Sequence, residues 1–274
     1  MGTRAVAAHA ADPGREVPLD SRGVARRTHV CDAVRLLTWN VYQRPSWVAA
    51  FHDDPSLPPQ TARLDGILGF LDGTSFDVIC VQEAFSHAAR RALSARYRHV
   101  YALLRAPDSI RLHSGLMILS RHPIVHRDGA VFRGALGGGR EVDRWVDKGV
   151  MHAEMLLPDG PLHVFNTHLQ AQPANADVRR AQIDQLCRRV SRFPGRAVVA
   201  GDFNLESDEQ ANLARLLQLG FRDLWSEARA DDSCVTHPPG RRYDFAFSRG
   251  LRAEGAKVHA TAFSDHGALS VECS

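Results

Sequence analysis

Between residues 34 and 273 the chain is a succession of short apolar runs, each of strand length, and several end on a carboxylate, an amide or an imidazole. VRLLTWN (34–40), FDVICVQE (76–83), PLHVFNTH (161–168) and RAVVAGDFN (196–204) show the pattern best. Runs this short, bounded by turn residues, form buried or half-buried strands. Segments with helical spacing alternate with them. TARLDGILGFLDG (61–73) sets Leu64, Ile67, Leu68 and Leu71 on one face, and DVRRAQIDQLCRRV (177–190) does so with Ile183, Leu186, Cys187 and Val190. HAARRALSARY (87–97) and EQANLARLLQLG (209–220) predict two more helices. GVMHAEMLL and PLHVFNTHL predict a hairpin across PDG, and YDFAFS, AKVHATAF and GALSVEC predict three closing strands. Many of these strands follow one another through hairpins, which disfavours a purely parallel sheet. The expected fold is α+β, with two mostly antiparallel sheets packed together and helices outside.

Residues 1–30 lack this pattern and read as a flexible N-terminal tail, leaving 31–274 as one domain. No apolar run approaches the ~20 residues of a membrane span. Arg26 and Arg27 precede THVCDAVRLLTWN, which reads as the first strand rather than a signal h-region. The five cysteines include no C-x-x-C pair, so neither a zinc motif nor a disulfide framework is expected. A cytoplasmic monomer is the expectation. The net charge of +3 is too small to indicate a nucleic-acid binder by itself. Paired arginines such as Arg90–Arg91, Arg179–Arg180, Arg188–Arg189 and Arg241–Arg242 read as solvated surface.

The strand ends carry the chemistry. Asn40, Glu83 and His168 each close an apolar run; Asp202 and Asn204 close another; Asp244 lies in RRYDFAF; Asp265 and His266 lie in FSDHGALS. In VVAGDFNLESD (198–208), a strand continuing through Asn204 points Asp202 and Asn204 the same way and Phe203 inward. Taken alone, Gly, Asp and Asn fit a turn equally well. Six segments ending on such residues point instead to one shared site at the rim of a sheet sandwich. Phosphodiester hydrolysis needs such a set. A divalent cation on carboxylates neutralises and orients the phosphate. An imidazole activates water, a second carboxylate fixes its tautomer, and further donors stabilise the charge on the phosphoryl oxygens. There is no nucleophile elbow and no Walker loop, so water is read as the attacking group.

LLTWNV, VQEAF, SGLMILSRHPI, NTHLQAQ, GDFN, YDFAF and SDH occur in the order seen in the endonuclease/exonuclease/phosphatase superfamily, which the chain resembles over about residues 34–273. The resemblance implies a four-layer αββα sandwich and makes 31–274 a catalytic domain. DKGVMHAEM, then FNTHLQAQ, then RRAQIDQL, is most similar to neutral sphingomyelinases, which are phospholipase C-type enzymes. By that resemblance Glu83 is the principal Mg²⁺ ligand, Asn40 lies close to metal or phosphate, and Asp265 lies beside the metal, with Mn²⁺ as a substitute ion. His266 is the general base, oriented by Asp244. Asp202 and Asn204 position water and phosphate, and His168 binds the phosphate or assists the leaving group. Lys148 is a weaker candidate, a cation next to the phosphate.

The expected activity is metal-assisted, in-line attack of water on a phosphodiester, with sphingomyelin or a related phospholipid as substrate. A nuclease or a phosphatase of soluble phosphoesters is the alternative, with nucleic acid as the partner in the first case. A non-catalytic binding module would not need the Asp244–His266 pair. Secreted bacterial sphingomyelinases carry an aromatic-rich hairpin before SDH. Here FAFSRGLRAEGAKVHATAF (245–263) has no Trp or Tyr, so stable membrane insertion is not expected. Trp145, in a Gly-rich loop over 134–148, could compensate. His113, His122, His126, His152 and His163 are read as surface or hairpin residues.

Overall fold

The computed structural model describes residues 33–45, 48, 53–102, 111–133, 146–229 and 233–274. The expected tail over 1–30 and Trp145 lie outside the described residues. The first sheet contains β1 (Val34–Gln43), β2 (Val78–Ala84), β3 (His99–Ala102), β4 (Met117–Ser120), β11 (Ala253–His259) and β12 (Ala268–Cys273). Its order is β11-β12-β1-β2-β4-β3. The second contains β5 (Ile124–Val131), β6 (Gly149–Leu157), β7 (Gly160–His168), β8 (Ala197–Asp202), β9 (Arg222–Asp223) and β10 (Asp244–Arg249). Its order is β5-β6-β7-β8-β10-β9.

Each sheet has one parallel pairing at its centre, β1 with β2 and β7 with β8, and antiparallel pairings elsewhere. Helices α1 (Gln60–Asp72), α2 (His87–Ser94), α3 (Ala176–Val190), α4 (Ala214–Gln218) and α5 (Leu224–Ala228) connect the strands. The expected hairpin is β6–β7, in register from Gly149 opposite His168 to Leu157 opposite Gly160.

Strand alternation assigns the layers. Leu36, Val78, Cys80, Met151, Val164, Val198 and Ala246 meet in the cluster between the two sheets. Their neighbours in sequence turn the other way. Leu37, Trp39, Ile79 and Val81 pack with Ile67 and Leu71 of α1. Phe165, Val199, Phe245 and Phe247 pack with Ile183, Leu186 and Val190 of α3. The result is a four-layer αββα sandwich with two outer cores and one inner core. Each large apolar side chain fully buried in these layers contributes about 1.5–3 kcal/mol.

Three expectations change. The helix expected over 209–220 begins as a 3-10 segment, Ser207–Leu213, before the short α4. Arg179 is not surface: it is fully buried on α3, with Nε 2.9 Å from Glu209 Oε2 and Nη1 2.9 Å from the Gln170 carbonyl. Its partner in sequence, Arg180, stays exposed beside Asp177. Arg179 therefore ties α3 to the 3-10 segment through Glu209 and to the loop that follows His168 through the Gln170 carbonyl. His152 lies on the β6–β7 hairpin but is fully buried, stacked on Phe165 at 4.5 Å between ring centroids.

Candidate active site

The parallel pair of each sheet ends at the same rim. In α/β architectures, crevices beyond the carboxyl ends of parallel strands bind ligands. The inner-face alternation that buries Leu36 and Thr38 carries Asn40 to the end of β1. The same period places His168 after Val164 and Asn166 on β7, and Asp202 after Val198 and Ala200 on β8. Asp244 begins β10 directly opposite Asp202. Glu83 is out of phase with the inner-facing Val78, Cys80 and Gln82. Its φ of 55° breaks the extended backbone, and its carboxylate accepts from Asn40 Nδ2 at 3.2 Å.

Hydrogen bonds join these side chains into one cluster. Asn40 Nδ2 also donates to Asp202 Oδ2 at 3.0 Å, while its Oδ1 accepts from the Tyr42 amide at 3.1 Å. Asp244 Oδ2 lies 2.7 Å from His266 Nδ1, and His266 Nε2 lies 3.7 Å from Asp202 Oδ2. His168 Nε2 is 3.5 Å from Asp202 Oδ2, 4.0 Å from Glu83 Oε1 and 2.8 Å from Lys148 Nζ. Asn40, Lys148, His168, Asp202, Asp244 and His266 are all buried.

The surroundings of the two histidines push their pKa values in opposite directions. Burial disfavours the His266 imidazolium, but Asp244, Asp202, the bond to Asp244 and Asp265 outweigh it and push its pKa up to about 10. Burial, then the charges of Lys148 and His266, hold His168 well below the usual histidine range. Burial also raises Asp202 to about 7, with the Asp244 charge adding to it and His266 opposing. Environments that separate two titratable groups in this way are how active sites divide proton-holding roles.

Asn204 sits differently from the sequence expectation. The strand stops at Asp202, and the Asn204 amide folds back to donate to Asp202 Oδ1 at 2.9 Å, with φ of 49° at Asn204. The stretch is therefore both turn and site. Phe203 is buried as expected, and the Asn204 side chain donates to the Leu169 carbonyl at 3.2 Å. Asp265 borders the Asn40–Asp202–His266 network: its Oδ1 lies 3.3 Å from Ser264 Oγ, and Asp265, His237 and His266 bring ligand atoms within 4.8 Å of one another. Both Asp265 and Glu83 act on Tyr42, whose phenol is raised to about 12, chiefly by burial.

The sequence did not single out the residues that hold the candidate site residues in place. Trp39 Nε1 donates to the His266 carbonyl at 3.0 Å. Ser264 Oγ donates to the Asn40 carbonyl at 2.6 Å and accepts from the His266 amide at 3.1 Å. Thr236 Oγ1 accepts from the Asp244 amide at 3.1 Å. His237 was missed too: its ring packs edge-on against His266 with centroids 4.7 Å apart. Behind the site, Gln82 Nε2 donates to Asn166 Oδ1 at 2.7 Å, linking the two sheets. Trp39, Gln82, Asn166 and Ser264 stand inside the quoted motifs, but only the fold shows which groups they hold; Thr236 and His237 lie outside those motifs.

Two stacked mixed sheets with carboxylates and imidazoles gathered at one rim define the architecture of phosphoester hydrolases of the αββα type. The chain belongs to the endonuclease/exonuclease/phosphatase family, whose model matches residues 37–266. Members of that family are generally hydrolases of phosphoesters. A UPF0294 protein of Vibrio vulnificus is 30% identical over 139 residues, 49% of this chain and 48% of its own, so the chain spans about half the length of this curated relative.

Among solved structures, sphingomyelinase C from Streptomyces griseocarneus superposes with TM-score 0.66 at 19% identity, over 88% of this chain and 99% of that one. A variant beta toxin from Staphylococcus aureus with bound magnesium gives the same TM-score, identity and coverages. TDP2 of D. rerio complexed with a single-strand DNA product gives 0.68 at 16%, over 88% and 99%. At these identities the likeness shows the fold.

Proposed function

We propose that the protein is a Mg²⁺-dependent phosphodiesterase that uses water as nucleophile and acts on sphingomyelin or a related choline phospholipid. The observation carrying this reading is the buried Asp244–His266 pair, 2.7 Å apart, in one cluster with Asp202, Asn40 and the Lys148–His168 pair. The donor set fits a hard cation: Glu83 and Asp202 present carboxylate oxygens to the same amide of Asn40, and Asp265 adds a further carboxylate at this end. Glu83 with Asn40 would hold the ion, and Asp265 would stand beside it. When bound, it supplies positive charge that neutralises carboxylates and phosphate and lowers the proton affinity of the neighbouring imidazole.

The chain's own residues do the rest. Asp244 fixes the His266 ring through Nδ1 and leaves Nε2 facing Asp202, where it takes the proton of the attacking water. Asp202 orients that water. Lys148 stabilises the charge on the phosphoryl oxygens, because a cation already held in a buried site needs no reorganisation. Neutral His168, beside Lys148, binds the phosphate on the leaving-group side.

The choline-lipid reading is supported by the sequence likeness of DKGVMHAEM and NTHLQAQ to neutral sphingomyelinases and by the shared fold with sphingomyelinase C. The shared fold with DNA-bound TDP2 supports the alternative, a nuclease. The test is an assay of the purified chain with micellar sphingomyelin, supercoiled DNA and inositol phosphates, each with Mg²⁺ and with EDTA. Phosphocholine release that needs Mg²⁺ and His266 is the expected result. DNA nicking that needs both, without phosphocholine release, overturns the lipid reading.

A further inference from the structure

We propose that an arginine-lined hollow beside the catalytic rim seats the phosphate headgroup of an anionic phospholipid and so docks the enzyme on its substrate surface. This rests on the lipid reading above and extends it. The hollow has a volume of about 210 Å³ and lies between the end of β5 and the end of α3. Arg133, Arg188, Arg189 and Arg192 line it over a floor that includes Phe132 and Val150, and among the described residues no carboxylate lines it.

The hollow is a built feature. Gln185 on α3 clamps the chain just after β5 twice: the Arg133 amide donates to Gln185 Oε1 at 2.9 Å, and Gln185 Nε2 donates to the Arg133 carbonyl at 3.0 Å. Arg189 is held in place by Asp128, yet its Nε is buried without a hydrogen-bond partner. Arg133, Arg188 and Arg192 are exposed. The negative end of α3 accounts for cations in its last turn. It does not account for Arg133, which comes from the strand side.

Charge selects the occupant. His126, Asp128 and His152 nearby bring ligand atoms within 4.8 Å of one another, a spacing a metal could use. They stand beside these arginines, however, and Arg189 already takes the Asp128 carboxylate. This end of the sheet therefore favours an anion over a cation. Guanidinium groups converging on one small hollow match a single phosphate headgroup. A nucleic-acid strand is met instead by a groove that tracks its backbone.

The place is also right. The Phe132 amide donates to the Lys148 carbonyl at 2.9 Å, and Lys148 Nζ is 2.8 Å from His168. One strand end thus joins the hollow to the catalytic rim. Basic side chains near an anionic leaflet each raise binding roughly fivefold. That attraction does not depend on the aromatic insertion which residues 245–263 do not provide.

The test is vesicle co-sedimentation of the full chain and of a triple variant, Arg133→Gln with Arg188→Gln and Arg192→Gln. Phosphatidylcholine vesicles with and without phosphatidylserine are compared, with inorganic phosphate and a single-stranded oligonucleotide as competitors. The wild type should prefer the anionic vesicles, and the triple variant should lose on the order of 10²-fold of that binding. Turnover of a water-soluble phosphodiester should be unchanged in the variant. Equal vesicle binding by wild type and variant overturns the proposal. So does a wild type without preference for anionic vesicles, or one displaced from them by inorganic phosphate or oligonucleotide at equal phosphate concentration. Binding is read without turnover, so failure of the sphingomyelin assay leaves this measurement standing.

Discussion

Asp244 Oδ2 lies 2.7 Å from His266 Nδ1, and both side chains are buried, although 22 residues separate them in sequence. β10 sets Asp244 opposite Asp202, and Ser264 and Trp39 fix the backbone at His266. The pair can therefore act as a base and its orienter. His266→Ala should lower turnover by a factor on the order of 10² to 10⁴. Asp244→Asn should lower it too, because the amide loses the charge that supports the imidazolium. Steady-state kinetics on both variants decides. A silent Asp244→Asn beside an impaired His266→Ala means that the pairing is not used.

Glu83 reaches the site only because its backbone turns to φ of 55°. Glu83→Gln keeps the shape and the packing but removes the charge. Most activity should be lost and Mg²⁺ affinity should fall, while far-ultraviolet circular dichroism and the urea midpoint stay near wild type. Calorimetric titration with Mg²⁺ checks the affinity. Near-wild-type turnover of the folded variant rules out Glu83 as the principal ligand.

Much of this was legible in the sequence, for a physical reason. Strands alternate with period two, so an apolar run ending in Asn40, His168 or Asp202 reveals both the strand and the polar group at its end. The ordered motifs then showed that these ends share one rim. Two kinds of feature escaped. One is the backbone at Glu83 and Asn204, residues the sequence did single out: positive φ angles break the alternation there, and of the two only Asn is a type that favours them. Trp39, Thr236, Ser264 and His237 act through contacts far apart in sequence, and their identities are ordinary for core or turn residues. Arg179 escaped in the opposite sense: a charged residue in an arginine pair reads as surface until Glu209 is seen to bury it.

Gly201 precedes Asp202 for a reason that can be measured. A Cβ at Gly201 would stand 2.0 Å from the Thr167 carbonyl oxygen, and φ there is +148°. Both atoms belong to the parallel β7–β8 pairing that delivers His168 and Asp202 side by side, so neither backbone can yield cheaply. Gly201→Ala should cost roughly 2–4 kcal/mol of stability and most of the activity. Urea denaturation and kcat/KM measure the two losses. A variant as stable and active as the wild type would show that the strands spread apart without penalty.

His152 gives the protein a dependence on pH away from the catalytic cluster. Burial first, then the charges of His163 and His126, push its pKa down from 6.5 to about 4. Its ring is stacked on Phe165, and Nε2 lies 3.1 Å from His163 Nδ1. Above pH 6.5 the residue is neutral in both folded and unfolded chains, so the full stability is present. As pH falls from 6.5 towards 4, the unfolded chain takes up a proton that the folded chain refuses, and stability is lost across that window. At about 1.4 kcal/mol per pKa unit, the loss from this one residue is up to roughly 3.5 kcal/mol. His152→Gln retains a donor towards His163 and does not titrate. Urea melts at a series of pH values should therefore show a shallower loss of stability on acidification for the variant than for the wild type. The difference should grow below pH 6.5 and level off near pH 4. Parallel curves for the two proteins would mean that His152 takes up its proton in the folded state as readily as in the unfolded one, and that its burial against Phe165 carries no penalty for charge.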